Sequence, residues 1–388
     1  MEPLHISNRA LETPASGIRK MMNRAFELED VISLAAGEPD FTAHPKVVEA
    51  ANRANLEGRT KYTPSAGILP LREKIAENMK RDLHAEYDPK SEILITIGGQ
   101  EALLLSMLAL TDPGDNIIVT DPCWCNYLGH LRICDALPNI VPVYEKDAFC
   151  YDPENIRKAI NKRTRAIILT SPNNPCGSVT PLETLKEIAK IAIENDLFVI
   201  SDEAYRYFTF DGEKHISISS LPGMKEHTIV CDTFSKGWAM TGWRVGWAAG
   251  PKEIIAQMTK MHEDTTCNVN TSAQWGACAA LDLPYEVIEE MRVSYERRCK
   301  LLVDGLNKMK NVSCLYPKGA IYAFANISKT GLSSSEFAER LMEETGVVVA
   351  PGSTFGATGE GFVRLCYAIA EDRLVEAIRR MDKFTREL

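Results

Sequence analysis

Residues 228–250, TIVCDTFSKGWAMTGWRVGWAAG, are the stretch whose reading decides both fold and chemistry. Thr228–Asp232 is a β-branched, apolar run that includes Cys231 and reads as a buried strand. It leads into Thr233, Ser235 and Lys236, then into a Gly-rich turn that ends at Arg244. A lysine directly after a buried strand is in an expensive place, because desolvation disfavours its charged form and lowers its pKa. Only a neutral amine attacks a carbonyl, so this is the condition a Schiff-base lysine needs. An ammonium that snorkels from the strand end into water is the competing reading. Arg244, beyond a hinge at Gly242 and sharing the stretch with the hydroxyls of Thr233 and Ser235, is anion-binding chemistry and favours the first.

Working outward, short apolar runs recur at 93–97, 116–120, 139–143, 165–170, 197–201, 228–232 and 245–249. Helical spacing fits 100–110, 123–134, 154–161 and 182–195 between them. Continuous apolar strands alternating with helices predict an α/β fold with a mostly parallel seven-stranded sheet between helices. Only about a dozen residues separate the last two runs, too few for a crossover helix, so the final strand is expected to be antiparallel. Earlier, Ile18, Met21, Met22, Ala25 and Phe26 recur at helical spacing over 14–30. After Gly250 the pattern predicts helices at 251–262, 271–281 and 287–309. Strands near 312–316, 320–326, 346–350 and 362–368 follow, with helices at 334–345 and 371–385. The implied division is an N-terminal arm with part of a small domain (1–46), a large domain (47–283) and a smaller α/β domain (284–388).

Composition narrows the function. The 388 residues have room for two or three domains and a large core. Apolar, charged and aromatic fractions of 45%, 25% and 7% belong to an ordinary globular enzyme. A net charge of −9 without any Lys/Arg-rich run argues against a nucleic-acid partner. The start MEPLHISNRA has no apolar leader core, and no run of about 18 apolar residues exists, so a cytoplasmic protein without a membrane span is expected. Eleven cysteines lack paired C-x-x-C spacing, which reads as reduced thiols; no zinc-like cluster appears and no metal is expected. Neither G-x-G-x-x-G nor a Walker A sequence is present, which counts against dinucleotides and nucleoside triphosphates.

Ligands of open α/β sheets bind beyond the carboxyl ends of the strands, and polar or aromatic residues stand at those ends here. The first run leads to Gly98, Gly99, Gln100 and Glu101, where a helix N-terminus exposes backbone N–H groups to an anion. The second leads to Trp124, which by itself reads as a core residue; the fourth to SPNNPCG with Asn174 in a turn. The fifth ends in Asp202-Glu203-Ala204-Tyr205. An Asp closing a buried strand needs a partner, and a helix N-terminus or the nearby Arg206 could supply one. Gly37 in AAGEPD sits at a turn, and Tyr62 precedes a turn and an amphipathic helix. Arg364 comes from an otherwise apolar strand, where a buried guanidinium demands an anion, either a carboxylate of the same lobe or a ligand.

TFSKGWAMTGWRVG resembles the pyridoxal-phosphate attachment signature of fold-type I, class I aminotransferases, with Thr233 where that pattern has Ser or Gly. The likeness extends over nearly the whole chain and is similar to the prokaryotic aspartate/aromatic subgroup; SPNNPCG matches with Cys176 in place of Thr. The resemblance implies that Lys236 carries pyridoxal phosphate and acts as base and acid at the substrate α-carbon. It implies that Asp202 holds the pyridine nitrogen cationic, Tyr205 and Asn174 meet the phenolic oxygen, and Trp124 stacks on the ring. Gly99, Gln100, Thr233, Ser235, Arg244 and Tyr62 would hold the phosphate, Tyr62 across a homodimer interface. Gly37, Trp124, Asn174 and Arg364 would bind the amino acid, Arg364 clamping its α-carboxylate. The implied reaction moves an amino group from an L-amino acid, aspartate or aromatic, to a 2-oxo acid such as 2-oxoglutarate. A C–S lyase or aminocyclopropanecarboxylate-synthase-like enzyme shares most of these residues, but the A-M-T-G-W-R turn looks like that of transaminases. A non-catalytic effector-binding relative would be expected to carry an additional DNA-binding segment. An acidic substrate side chain would need a cation, for which His130, Arg19 and Lys20 are candidates.

Overall fold

The seven apolar runs from Ile93 to Ala249 assemble into one sheet. Its spatial order is Ile93–Thr96, Gly246–Ala249, Thr228–Thr233, Phe198–Asp202, Thr164–Thr170, Asn116–Asp121 and Leu137–Pro142. Gly246–Ala249 is antiparallel to both neighbours, and every other pairing is parallel. The computed structural model describes residues 5–14, 17–25, 28 and 30–388, apart from the Lys20 side chain. Phe26 and the Lys20 side chain lie outside the described residues.

Both faces of the sheet are apolar because successive side chains of a strand point to opposite sides. Ile117 and Val119 pack with Leu103 and Met107 of the helix Gly98–Leu110, whereas Ile118 packs with Leu185 and Ile188 of the helix Leu182–Glu194. The same split separates Ile168 and Ile200 from Ile167, Leu169 and Val199. Leu137 and Ile140 lie on the edge strand and are exposed. With one face given to each helical layer, the carboxyl ends of six strands open on one rim.

Downstream, Ser313–Cys314, Tyr322–Asn326, Ala350–Pro351 and Phe362–Cys366 form an antiparallel sheet. The helix Ser334–Thr345 has the bounds expected from sequence, because Ser333 and Glu336 close a capping box and Gly346 ends it in the left-handed region. The expected strand at 346–350 divides. Val347–Val348 pairs in parallel with Ile32–Ser33, and Ala350–Pro351 pairs instead with Phe362–Cys366. The strand expected at 320–326 starts at Tyr322, since Ala320 has φ 65°. At 312–316 only Ser313–Cys314 is extended; the Asn307 side chain bonds both Cys314 N (2.8 Å) and Cys314 O (3.0 Å). The helix expected from 123 begins at Asn126, because Cys123 N donates to Phe355 O (2.8 Å) and draws the chain to the turn Gly352–Phe355, which follows Ala350–Pro351. These cross-links bring Gly37 and Arg364 to the rim: Cys366 N donates to Leu34 O at 2.7 Å.

Candidate active site

Beyond that rim lies a cavity of about 490 Å³. Gly37, Gly99, Gln100, Trp124, Asn174, Asp202, Tyr205, Thr233, Ser235, Lys236, Arg244 and Arg364 all line it. Tyr62 does not; it is 86% exposed on the surface of its own chain.

One end of the cavity is built for an anion. The helix Gly98–Leu110 has no side-chain cap, so its first N–H groups remain available. Glycine permits this approach. A Cβ on Gly98 (φ 72°) would lie 2.6 Å from Arg244 Nη2, and one on Gly246 would lie 2.5 Å from Gly98 C and Gly99 N. Thr233 caps the short helix Phe234–Gly237, its hydroxyl accepting from Ser235 N (3.1 Å) and touching Ser235 Oγ (2.9 Å). Arg244 donates to Thr241 O at 2.9 Å, and among the described residues no carboxylate pairs with it.

Lys236 follows immediately. Burial pushes its pKa down to about 8, with Arg364 and Arg244 adding to the effect, while its ammonium donates to Gly37 O. At that value about a tenth of the amine is neutral at pH 7, far more than for an ordinary lysine. Asp202 ends the neighbouring strand. The expected partner Arg206 is not its partner: Arg206 donates instead to Asp232 Oδ2 (2.6 Å) and to Asn78 Oδ1 (2.5 Å), on the side turned into the core. Nor does a helix N-terminus serve. Asp202 Oδ2 accepts from Tyr127 Oη at 2.5 Å, and Oδ1 accepts from Ala204 N at 3.2 Å. Burial pushes the Asp202 carboxyl above its usual range. Trp124 is held edge-on between Tyr127 (5.4 Å) and His130 (6.0 Å).

Opposite Lys236 stands Arg364, 2% exposed. Its Nη1 donates to Asn174 Oδ1 at 2.9 Å and its Nη2 to Ala35 O at 2.6 Å, while Nε is buried without a partner. Tyr322 and Phe355 present ring faces 4.2 and 4.8 Å from the guanidinium. The carboxylate of the same lobe, one of the two partners the sequence left open, is absent among the described residues. A buried cation with only neutral partners is a receptor for a ligand anion.

Of the candidate side-chain cations, His130 is buried and pushed down to about 4 by desolvation, so it is neutral at physiological pH. Arg19 lines the cavity beside Ile18, Met22 and Asn23 of the helix Gly17–Ala25. Sequence reasoning missed two site residues. Tyr322 Oη lies 2.7 Å from Tyr205 Oη, and a Cβ on Gly37 would fall 2.0 Å from the same oxygen. Tyr127 was signalled only by its place three residues after Trp124 in a helix. Among the described residues no cluster of His, Cys, Asp or Glu could hold a metal, and no helix is long and apolar enough to cross a membrane.

A neutralisable lysine, a buried carboxylate and two anion sites, all in one cavity, are the needs of amino-group chemistry. Comparison with known proteins agrees. The chain is 41% identical to an aromatic-amino-acid aminotransferase of Thermococcus litoralis over 98% of both chains. It is 43% identical to an aspartate aminotransferase of Pyrococcus abyssi over 96% of both. The solved aromatic aminotransferase of Pyrococcus horikoshii superposes with a TM-score of 0.90, at 41% identity over 95% of this chain and 99% of that one. The aspartate aminotransferase of Thermus thermophilus with maleate gives 0.93, at 38% identity over all of both chains. The family model for aminotransferases of class I and II matches residues 29–381. This chain belongs to the class I and II aminotransferase family, with the fold-type I architecture, and is an aminotransferase.

Proposed function

We propose that the cavity takes pyridoxal phosphate, attached at Lys236, and that the enzyme moves the amino group of aspartate or an aromatic L-amino acid to a 2-oxo acid such as 2-oxoglutarate. The observation that carries this is a fully buried Arg364 with neutral partners in the same cavity as a lysine held down to about pKa 8. The residues present fit the cofactor. The uncapped Gly98 helix end, Ser235, Thr233 and Arg244 suit a phosphate, and Asp202 offers a buried carboxylate to a cationic nitrogen. Once bound, pyridoxal phosphate supplies the carbonyl that takes up the amino group and the ring that absorbs carbanion charge.

The chain's own residues do the rest. Lys236 Nζ, neutral, would take the proton from the substrate α-carbon as base and then give it up as acid to the carbon that carried the cofactor's carbonyl. Arg364 and Asn174 hold the α-carboxylate, helped by the Gly37 backbone, which leaves the α-hydrogen facing Lys236. Tyr205 and Asn174 would donate to the cofactor's phenolic oxygen, Trp124 would cover the ring, and Gly99 and Gln100 would complete the phosphate cup. Tyr62, exposed outside its own cavity, reaches the phosphate of a second subunit, so the working unit is a homodimer. Ile18 and Met22 beside Arg19 support a side-chain pocket that accepts apolar and acidic groups. The names of the relatives support aspartate and aromatic substrates. No disulfide joins the cysteines among the described residues, which suits the reducing cytoplasm.

The test is an absorption scan of the purified protein in the near-ultraviolet and visible, with amino acids added singly. A cofactor band that converts to the amine form with aspartate or aromatic amino acids, and is restored by 2-oxoglutarate, is expected. Release of pyruvate without amino-group exchange would assign a lyase instead, and no band after added cofactor would defeat the proposal.

A further inference from the structure

We infer that Tyr127 is a positioning residue for the reaction: its hydroxyl fixes one oxygen of Asp202 while its ring fixes Trp124, so carboxylate and indole are held as one unit. This rests on the cofactor reading above. Tyr127 lies in the first turn of the helix Asn126–Ile133, its N–H donating to Trp124 O at 3.1 Å and its ring meeting the indole edge-on at 90°. It is 1% exposed, so water does not compete for its hydroxyl.

The hydrogen bonds can be counted. A phenol has one hydrogen, and the carboxylate oxygen at 2.5 Å can only accept it. Thr170 Oγ1, 2.7 Å from Tyr127 Oη, must then donate its own hydrogen to the phenol oxygen. The backbone of Thr170 is in turn fixed by its N–H to Tyr151 Oη at 2.8 Å. The chain Thr170–Tyr127–Asp202 therefore runs in one direction and ends on Oδ2. Oδ1 has only the longer bond from Ala204 N and is the oxygen left for a ligand.

Burial drives Asp202 toward its protonated form, Glu203 pushes the same way through space, and Lys236 opposes it. Tyr127 is the side chain that offsets this by hydrogen bonding. Without the phenol hydrogen the carboxylate becomes more basic and draws a shared proton off the ring nitrogen of the bound cofactor. The nitrogen would then lose its charge at lower pH, and the ring would accept carbanion charge less well.

The experiment uses holoenzyme loaded with pyridoxal phosphate labelled with nitrogen-15 in the ring, and follows the nitrogen resonance against pH. Tyr127→Phe is expected to move deprotonation of that nitrogen to lower pH and to lower kcat about ten- to a hundredfold, with KM nearly unchanged. Thr170→Val is expected to move both in the same sense by less, and supplies the reading should Tyr127→Phe not fold. A folded, loaded variant whose nitrogen titrates like wild type overturns the assignment, even if kcat has fallen, since packing alone would produce that. Failure of the wild-type protein to take up the cofactor overturns the proposed function itself, and this inference with it.

Discussion

At the residue scale the site depends on two cations kept for different reasons. Lys236 has a folded-state pKa lowered to about 8, so folding favours its neutral form. The cost to the cofactor-free protein is fully present below about pH 8 and is relieved as pH rises toward the ordinary lysine value. Lys236→Met should therefore stabilise the cofactor-free protein by about 1–3 kcal/mol at pH 7, with the gain vanishing near pH 10.5. Urea midpoints of both proteins across that range check it. Lys236→Ala should abolish turnover and leave the circular dichroism spectrum intact; substantial residual activity would remove Lys236 from its role. Arg364→Leu should raise KM for every amino acid tried by the equivalent of about 2–5 kcal/mol. An effect confined to one substrate would make Arg364 a side-chain reader. Both positions were legible in sequence because a charge at the end of an apolar run, as at Lys236, or inside one, as at Arg364, has few explanations. Tyr322 was not, since its role follows from facing Gly37 and Arg364 across the antiparallel sheet, where Phe324 and not Tyr322 is the register partner of Arg364.

The element that matters most is the contact between the helix Gly98–Leu110 and the reversed strand Gly246–Ala249. The strand slips under the helix start because Gly246 has no side chain: an added Cβ would meet Gly98 C and Gly99 N at 2.5 Å and Asp232 O at 2.8 Å, all backbone. None of these can rotate away. Gly246→Ala should cost about 1–3 kcal/mol of stability and weaken cofactor retention, because relief requires the helix end to move from Arg244. Calorimetry and cofactor release on dilution measure the two effects. Strand positions and the reversed strand were readable from the lengths of apolar runs and connections. The helix Pro45–Leu56 was not singled out, although Val47, Ala50, Ala51 and Ala54 are its buried face. Alanines at that spacing carry little hydrophobic signal, and the packing partner, the helix Thr271–Leu281, is remote in sequence.

At the scale of the whole molecule, the proposed dimer makes Tyr62 and Lys236 serve the same site from different subunits. Mixing Lys236→Ala with Tyr62→Ala subunits after reversible dissociation should then restore activity at limiting cofactor, because one site of each hybrid carries neither change. No gain over the separate variants would place Tyr62 outside the site. The chain by itself determined the strand order of appearance, the one reversed strand and the charged and cofactor-facing candidates of the cavity, because hydrophobic period and chemistry at strand ends are local properties. Tertiary structure alone decided which partners the charges take. Asp202 is bonded by Tyr127 and not Arg206, and Arg364 by Asn174 and Ala35 and not a carboxylate. It also decided that the run at 346–350 is shared between two sheets. The reason is physical: each apolar run has one way to be buried, whereas a buried polar group accepts any donor or acceptor in reach. What lies in reach is set by the packing of segments far apart in the chain.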